Sequence, residues 1–404
     1  MSAGFEALRT KARLARRYAA TRLPDAVGQH LIPRAERYTP AAVPPPVSSP
    51  TGAETRLLIA PANVAGQGYA WARAAERLPG VGGVSMQYRD DVDLGFPSDY
   101  AVPFAVFATS GDWARRQKTA VAHGFTHVLV ESSRPIFGSA FRGLEREVRW
   151  MRSNGLSVGV VGHGSDLRIP SRHATLDEWS PFRRSDEEWV RRLESKVAGV
   201  HAALRSIDAP VFVSTPDLLL DWPSSVWLPL VVDQARWHAE EPALADGRRP
   251  RVIHAPTNAL VKGTAAIEPI VEDLAATGLI EYERVSGVPA ERMPDVVRSS
   301  DIVLEQFALG MYSATAIEAM AAGRLVVGHV HDQVRNHVES MTGMRPPVVE
   351  ATPATIRDVI VDICARREEY RSIAASGPRF AAAVHDGRLS ARVLAPFLEV
   401  EDEV

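Results

Sequence analysis

The sequence contains a single cysteine, Cys364, which excludes an internal disulfide and with it a disulfide-stapled fold. Its surroundings, Val361-Asp362-Ile363-Cys364-Ala365-Arg366, read as one turn of an amphipathic helix, so a small buried hydrophobe in a reducing compartment is expected. Lysine is almost as scarce: Lys11, Lys118, Lys196 and Lys262 are the only ones, and arginine supplies the rest of the 46 basic residues. That bias belongs to GC-rich coding sequence and not to function, but it makes a lysine inside a motif conspicuous. No apolar run approaches the ~18 residues needed to span a bilayer, and the N-terminus lacks the apolar core of a signal peptide. A cytoplasmic protein is the expectation. The formal net charge of −3 argues against a nucleic-acid-binding protein, and any basic partner site must be local. No grouping of Asp, His or Cys has the spacing of a metal site, and no metal or other cofactor is expected.

What is present is ample material for two cores. The chain has 404 residues, 46% of them hydrophobic and 24% charged, whereas single cores stop growing near roughly 250–300 residues. Residues 1–24 carry Arg9, Lys11, Arg13, Arg16, Arg17 and Arg22 against Glu6 alone, with Phe5, Leu8, Ala12, Ala15 and Ala19 near helical spacing. Such a helix can lie on anionic lipid at the inner face of the cell membrane, stay solvated, or dock on a partner subunit. Pro40, Pro44, Pro45, Pro46 and Pro50 make residues 39–52 an extended linker.

From Arg56 onward apolar strands alternate with helical patterns. Strands are expected at 56–61, 126–131, 156–161 and 211–214, with helices at 69–78, 112–123 and 144–153. After a proline-rich crossing at 221–233 the alternation resumes, with strands at 251–255, 279–285, 302–305, 325–329 and 347–350 and helices beginning near Gly263, Ala290, Ser313 and Thr355. The last segment reads as helices broken at Gly377-Pro378 and at Asp386-Gly387. The fold class is therefore α/β: two Rossmann-like, doubly wound domains at 53–228 and 229–375, and helices at 376–404 packing back on the first. The carboxyl ends of the two sheets are expected to face a common cleft, where such sheets bind ligands.

Four stretches can carry chemistry at those strand ends. In Asp301–His329 a buried strand ends near Glu305, a loop of Gly310, Met311 and Tyr312 follows, Ser313 caps a helix, and Gly323 ends it. Loop and helix-start amides together suit an anion such as a diphosphate. Glu318, on that helix, can accept both hydroxyls of a ribose, or be a solvated carboxylate. The second stretch, His254-Ala-Pro-Thr-Asn-Ala-Leu-Val-Lys262-Gly263-Thr264, puts an ammonium and amides at a helix start. It is no P-loop, because position 257 is threonine. In the third, Val160-Val-Gly-His163-Gly-Ser-Asp166-Leu-Arg168, His163 follows a strand, and Asp166 and Arg168 can orient it or hold a sugar; a structural histidine is the equal alternative. The fourth is Asn63-Val-Ala-Gly66-Gln67-Gly68, whose glycines allow close approach to a ligand or simply make a tight turn. Trp71 breaks the dinucleotide fingerprint there, so NAD is not supported.

Taken together, Gly66-Gln67-Gly68, His163-Gly-Ser-Asp166, Trp227-Leu-Pro-Leu, Lys262-Gly-Thr and Gly310 through Glu318-Ala-Met-Ala-Ala-Gly323 resemble the GT-B retaining glycosyltransferases of family four (glycosyl transferases group 1) over residues 56–375. The resemblance implies a bacterial cell-envelope enzyme that moves a sugar from a nucleotide diphosphate, UDP or GDP type left open, to a sugar, lipid or glycan acceptor. It implies that Gly66 and Gly68 meet acceptor or phosphate, His163 the transferred sugar, Lys262 the diphosphate and Glu318 the ribose. Asn63, Gln67, Asp166 and Arg168 are expected on the substrate side. The position eight before Glu318, where that family carries a second glutamate, is Gly310, and the position six before Lys262, where it tends to carry arginine, is Pro256. A nucleotide-sugar epimerase or an inactive scaffold on the same fold are the alternatives.

Overall fold

The computed structural model describes residues 2–90, 93–184 and 187–401, and for residues 2–9 and 184 the backbone only. The chain divides into two compact units. One takes the described residues of Met1–His163, Val200–Phe212 and Leu394–Val404, the other Gly164–Gly199 and Val213–Val393.

Twelve short strands build two sheets among the described residues. The first contains β1 (Thr55–Ala60), β2 (Val81–Arg89), β3 (Tyr100–Pro103), β4 (His127–Glu131), β5 (Ser157–Gly162), β6 (Val211–Val213) and β7 (Val226–Trp227) in the order β3-β2-β1-β4-β5-β6-β7. β1 lies inside the sheet and is parallel to both neighbours, with Leu58 level with Val84 on one side and Val128 on the other. Leu57, Leu58, Ile59 and Ala60 are all fully buried, the unbroken apolar run of a parallel strand covered on both faces. The second sheet contains β8 (Arg251–His254), β9 (Glu281–Arg284), β10 (Ile302–Leu304), β11 (Leu325–Gly328) and β12 (Val348–Glu350) in the order β12-β11-β10-β8-β9. Its pairs are parallel too, and its helix-facing core gathers Ile267, Val271, Ile302, Leu325 and Ile360.

The expected strands are all found, with ends moved by a residue or two. Three more, β2, β3 and the short β7, appear where none was expected. Gly82-Gly83 in β2 reads as a turn in sequence but serves close packing. A Cβ on Gly83 would lie 2.6 Å from the Ala72 carbonyl oxygen, and one on Gly82 would lie 2.5 Å from Pro50. That second contact places the proline-rich linker as a strap on its own unit. The strap is tied by Val47 N–H donating to Gln117 Oε1 at 2.9 Å and Tyr100 O–H donating to the Pro45 carbonyl at 2.8 Å.

Two further differences concern helices. The expected break at Gly377-Pro378 is absent, and helix Arg367–Val384 runs through it. A Cβ on Gly377 would stand 2.7 Å from the Met320 carbonyl oxygen, so the glycine is there to let two helices cross closely. Pro378 lies inside this helix, where it cannot donate an amide hydrogen bond. The break at Asp386-Gly387 is present, between that helix and Arg388–Leu398.

The basic N-terminal segment forms helix Ser2–Ala20. Arg13 and Arg17 pair with Glu36 at 3.0 and 2.8 Å, and the Arg17 guanidinium lies over the Phe104 ring, so part of the basic face is satisfied within the chain. The side chains of Phe5, Glu6, Leu8 and Arg9, which the amphipathic reading used, lie outside the described ones. Among the described residues no helix is long and apolar enough to cross a membrane.

Candidate functional site

In the first unit the expected glycine loop and His163 converge on a residue that sequence reading did not single out. Glu131 closes β4 and is fully buried. Its Oε2 accepts the amides of Ala62 and Asn63 at 3.1 and 2.6 Å, and its Oε1 lies 3.4 Å from His163 Nε2. A Cβ on Gly68 would stand 3.0 Å from that carboxylate, so Gly68 makes room for Glu131. Gly66 adopts a left-handed φ of 75°, which glycine takes without strain. The Asn63 side chain is occupied by the loop itself: Nδ2 donates to Gln87 and to the Pro97 carbonyl, and Oδ1 accepts from Tyr69 N–H. Gln67 is buried at the start of the helix. Trp71, the residue that breaks the dinucleotide fingerprint, stacks on the His163 ring at 5.5 Å between centroids. A carboxylate ending an apolar strand was the available signal for Glu131.

Asp166 and Arg168, expected on the substrate side, lie in the second unit, just past its first residue Gly164. Asp166 accepts the Gly164 amide at 2.9 Å. Arg168 Nη2 and Nε donate to Asp217 Oδ2 at 2.5 and 3.2 Å, with both residues buried.

The second unit assembles the other expected residues. After β8, Asn258 caps the short turn that carries Lys262, its Oδ1 accepting the amides of Leu260 and Val261. Gly263, at φ 75°, turns the chain into helix Thr264–Ala276. His254, fully buried, holds this turn by bonding the Leu304 carbonyl through Nδ1 and the Thr264 hydroxyl through Nε2, both at 2.8 Å. Lys262 Nζ is thereby brought onto Glu305 Oε1 and within 2.9 Å of Ser313 Oγ. Ser313 also donates to Glu305 at 2.5 Å. The expected serine cap is corrected here: Ser313 stands at the N-cap of helix Ala314–Ala321 but makes no side-chain cap bond, because its hydroxyl is taken by Lys262 and Glu305. Glu305, one residue past β10, is the strand-end carboxylate around which Lys262 and Ser313 gather, a residue to which sequence reading gave no role.

Glu318, half-buried on the same helix, is pushed up to about 7, first by burial and further by the Glu305 charge, against the pull of Arg236 and Lys262. Met311 and Tyr312 are buried, and the Tyr312 hydroxyl lies 3.3 Å from His385 Nε2, so these two side chains face the core while their backbone forms the loop. Gly310 has φ 63°, and a Cβ there would lie 2.3 Å from the His331 ring. An imidazole thus fills the space where a side chain at 310 would stand.

The His331 ring belongs to a cluster that the spacing of the sequence did not disclose. Asp177, His329 and His331 bring one ligand-type atom each within 4.8 Å of one another. His331 Nε2 is 3.1 Å and His329 Nε2 3.6 Å from Asp177 Oδ2.

No protein-family profile matches the chain, and no curated protein matches its sequence. Solved structures do. Sucrose-phosphate synthase (tll1590) from Thermosynechococcus elongatus is 14% identical, with 85% of this chain and 98% of that one covered at a TM-score of 0.54. Anabaena Alr3699/HepE in complex with UDP-glucose is 10% identical, with 85% and 98% covered at 0.53. WaaG, a glycosyltransferase involved in lipopolysaccharide biosynthesis, is 13% identical, with 84% and 99% covered at 0.51. The chain has the GT-B fold. Within this GT-B fold the Lys262, Glu305, Ser313 and Glu318 group lies on the loops and helix that follow β8 and β10, at the carboxyl ends of parallel strands.

Proposed function

We propose that this protein is a glycosyltransferase that binds a nucleotide diphosphate sugar in its second unit and transfers the sugar with retention. The observation that carries the reading is the meeting of Lys262, Ser313 and the first amides of helix Ala314–Ala321 beside Glu318. An ammonium and helix-start amides are what a diphosphate needs, and a carboxylate one turn on can grip the adjoining ribose. Charge that builds on the leaving diphosphate is met there by lysine and amide groups, placed in advance of the reaction. By resemblance His163 meets the transferred sugar, with Gly66 and Gly68 on the acceptor or phosphate side. Residues 53–228 are then the acceptor domain and 229–375 the donor domain. The HepE complex contains UDP-glucose, which supports a nucleoside diphosphate sugar as donor here; the acceptor is a sugar, lipid or glycan, and the setting is the cytoplasmic side of the cell envelope.

Glu318 makes this testable. Ribose hydroxyls donate to the ionised carboxylate, so binding favours loss of the proton that the empty site holds up to about pH 7. Affinity for UDP or GDP, whichever raises the Tm, is expected to rise as the pH passes upward through 7, and Glu318→Gln is expected to flatten that rise. Titration calorimetry at pH 6 and 8 reads both; identical pH dependence in the two proteins contradicts the ribose role. NMR of the product's anomeric proton reads retention.

A further inference from the structure

The chemistry of Asp177, His329 and His331 is not used by the reading above and does not depend on it. All three belong to the second unit, His329 and His331 just beyond β11 and Asp177 on the segment after helix 170–176. The Asp177 side chain is 1% exposed, those of His329 and His331 16% and 21%. The carboxylate is thus buried and both rings are partly exposed.

Hydrogen bonds between neutral rings and the carboxylate do not account for this arrangement. Two imidazole Nε2 atoms converge on one carboxylate oxygen, and only His331, at 3.1 Å, is within bonding distance; His329 stands off at 3.6 Å. His329 Nδ1 is 2.6 Å from Glu350 Oε1. Donation to that carboxylate fixes the proton of a neutral ring on Nδ1 and leaves Nε2 presenting a lone pair toward Asp177. Lone pair facing carboxylate is unfavourable unless a cation stands between them. A second proton on Nε2 can serve. A divalent metal competes for the same lone pair with twice the charge and draws in His331 as well. Tetrahedral zinc with bonds of about 2.0–2.2 Å spaces its ligand atoms roughly 3.3–3.6 Å apart, and the two spacings on Asp177 Oδ2 bracket that range.

The surroundings are those of ligands held in place. Glu350, which orients His329, is itself fixed by Arg335 Nη2 at 2.8 Å and the Val330 amide at 3.0 Å. The other Asp177 oxygen accepts the Trp179 amide at 2.7 Å. A carboxylate behind a ligating histidine is the usual way a metal site sets the tautomer and the ring angle. His173, whose ring is 6.4 Å from that of His331, is already bonded through Nδ1 to Ser180 and through Nε2 to the Leu309 carbonyl, so it is not counted as a ligand.

We propose that Asp177 Oδ2, His329 Nε2 and His331 Nε2 bind a divalent zinc ion, with Glu350 as the positioning residue for His329 and water in the fourth position. The ion fastens the Asp177 segment to the end of β11 beside the Gly310 loop.

The full-length protein, stripped with a chelator and dialysed against Zn²⁺ with excess Mg²⁺ present, is expected to retain one zinc per chain by mass spectrometry. Co²⁺ in its place is expected to give the intense visible absorption of a tetrahedral ion. His329→Ala and His331→Gln are expected to lose stoichiometric retention. Glu350→Gln, which leaves all three ligands in place, is expected to weaken zinc by roughly 10–100-fold, and it keeps the test open if a ligand variant fails to fold. No stoichiometric zinc in the unaltered protein, or equal retention in the unaltered protein and the folded variants (an adventitious ion only), overturns the proposal.

Discussion

Lys262→Ala is expected to lower kcat/KM for sugar transfer by about 10²–10³-fold, the effect of removing one preorganised charge donor from a developing anion, and to abolish the rise in Tm that a nucleoside diphosphate produces. The single variant also strips a buried carboxylate of its partner, since the Glu305 side chain is 2% exposed and rests on Lys262. Orphaning a buried charge costs about 3–5 kcal/mol, so loss of activity in Lys262→Ala alone mixes two effects. Lys262→Met with Glu305→Gln removes both charges and keeps the volume. The double variant is expected to regain stability without regaining nucleotide binding. If it regains both, Lys262 serves only to neutralise Glu305, and the diphosphate reading of this lysine is wrong.

The second large effect concerns Gly310. Gly310→Ala is expected to destabilise the protein by roughly 2–5 kcal/mol, a sum of left-handed backbone strain and overpacking. The strain follows from φ 63° and the overpacking from the 2.3 Å approach to the His331 ring. Chemical denaturation separates the two: Gly310→Ala with His331→Ala is expected to recover the overpacking part and retain the strain. Additive losses in the double variant contradict the described contact. For the same reason Gly310→Glu, which supplies the carboxylate of the resembled family, is expected to lower stability and not to raise activity.

Much of this architecture is legible in the residues alone. Fully apolar runs such as Leu57–Ala60 and Ile302–Leu304 mark buried parallel strands, and Gly263, Gly310 and Gly323 mark turns whose φ angles are indeed positive. What escaped notice has physical causes. β2 hides behind Gly82-Gly83 because those glycines answer to neighbours, Pro50 and Ala72, that only the folded chain brings near. Gly377-Pro378 reads as a break because local preference cannot register a helix crossing at Met320. In the candidate site, Lys262, Ser313 and Glu318 were found through strand, loop and helix punctuation. Glu131 and Glu305 were passed over because each is a lone carboxylate in sequence and gains meaning only from its partners, His163 and the Asn63 amide in one case and Lys262 in the other. Asp177 and His329 meet across 152 residues of chain, a separation no local pattern bridges. The expectation for Asp166 and Arg168 rested on polarity after a strand, and in the fold these side chains bond the Gly164 amide and Asp217.

The central claim is that the ammonium of Lys262 and the start of helix Ala314–Ala321 cradle a diphosphate while Glu318 takes the ribose. A crystal grown with UDP or GDP tests it directly. The account predicts phosphate oxygens within hydrogen-bond distance of Lys262 Nζ and of the helix-start amides, with both ribose hydroxyls on Glu318. Nucleotide bound elsewhere, or bound here with Glu318 turned away from the sugar, contradicts it.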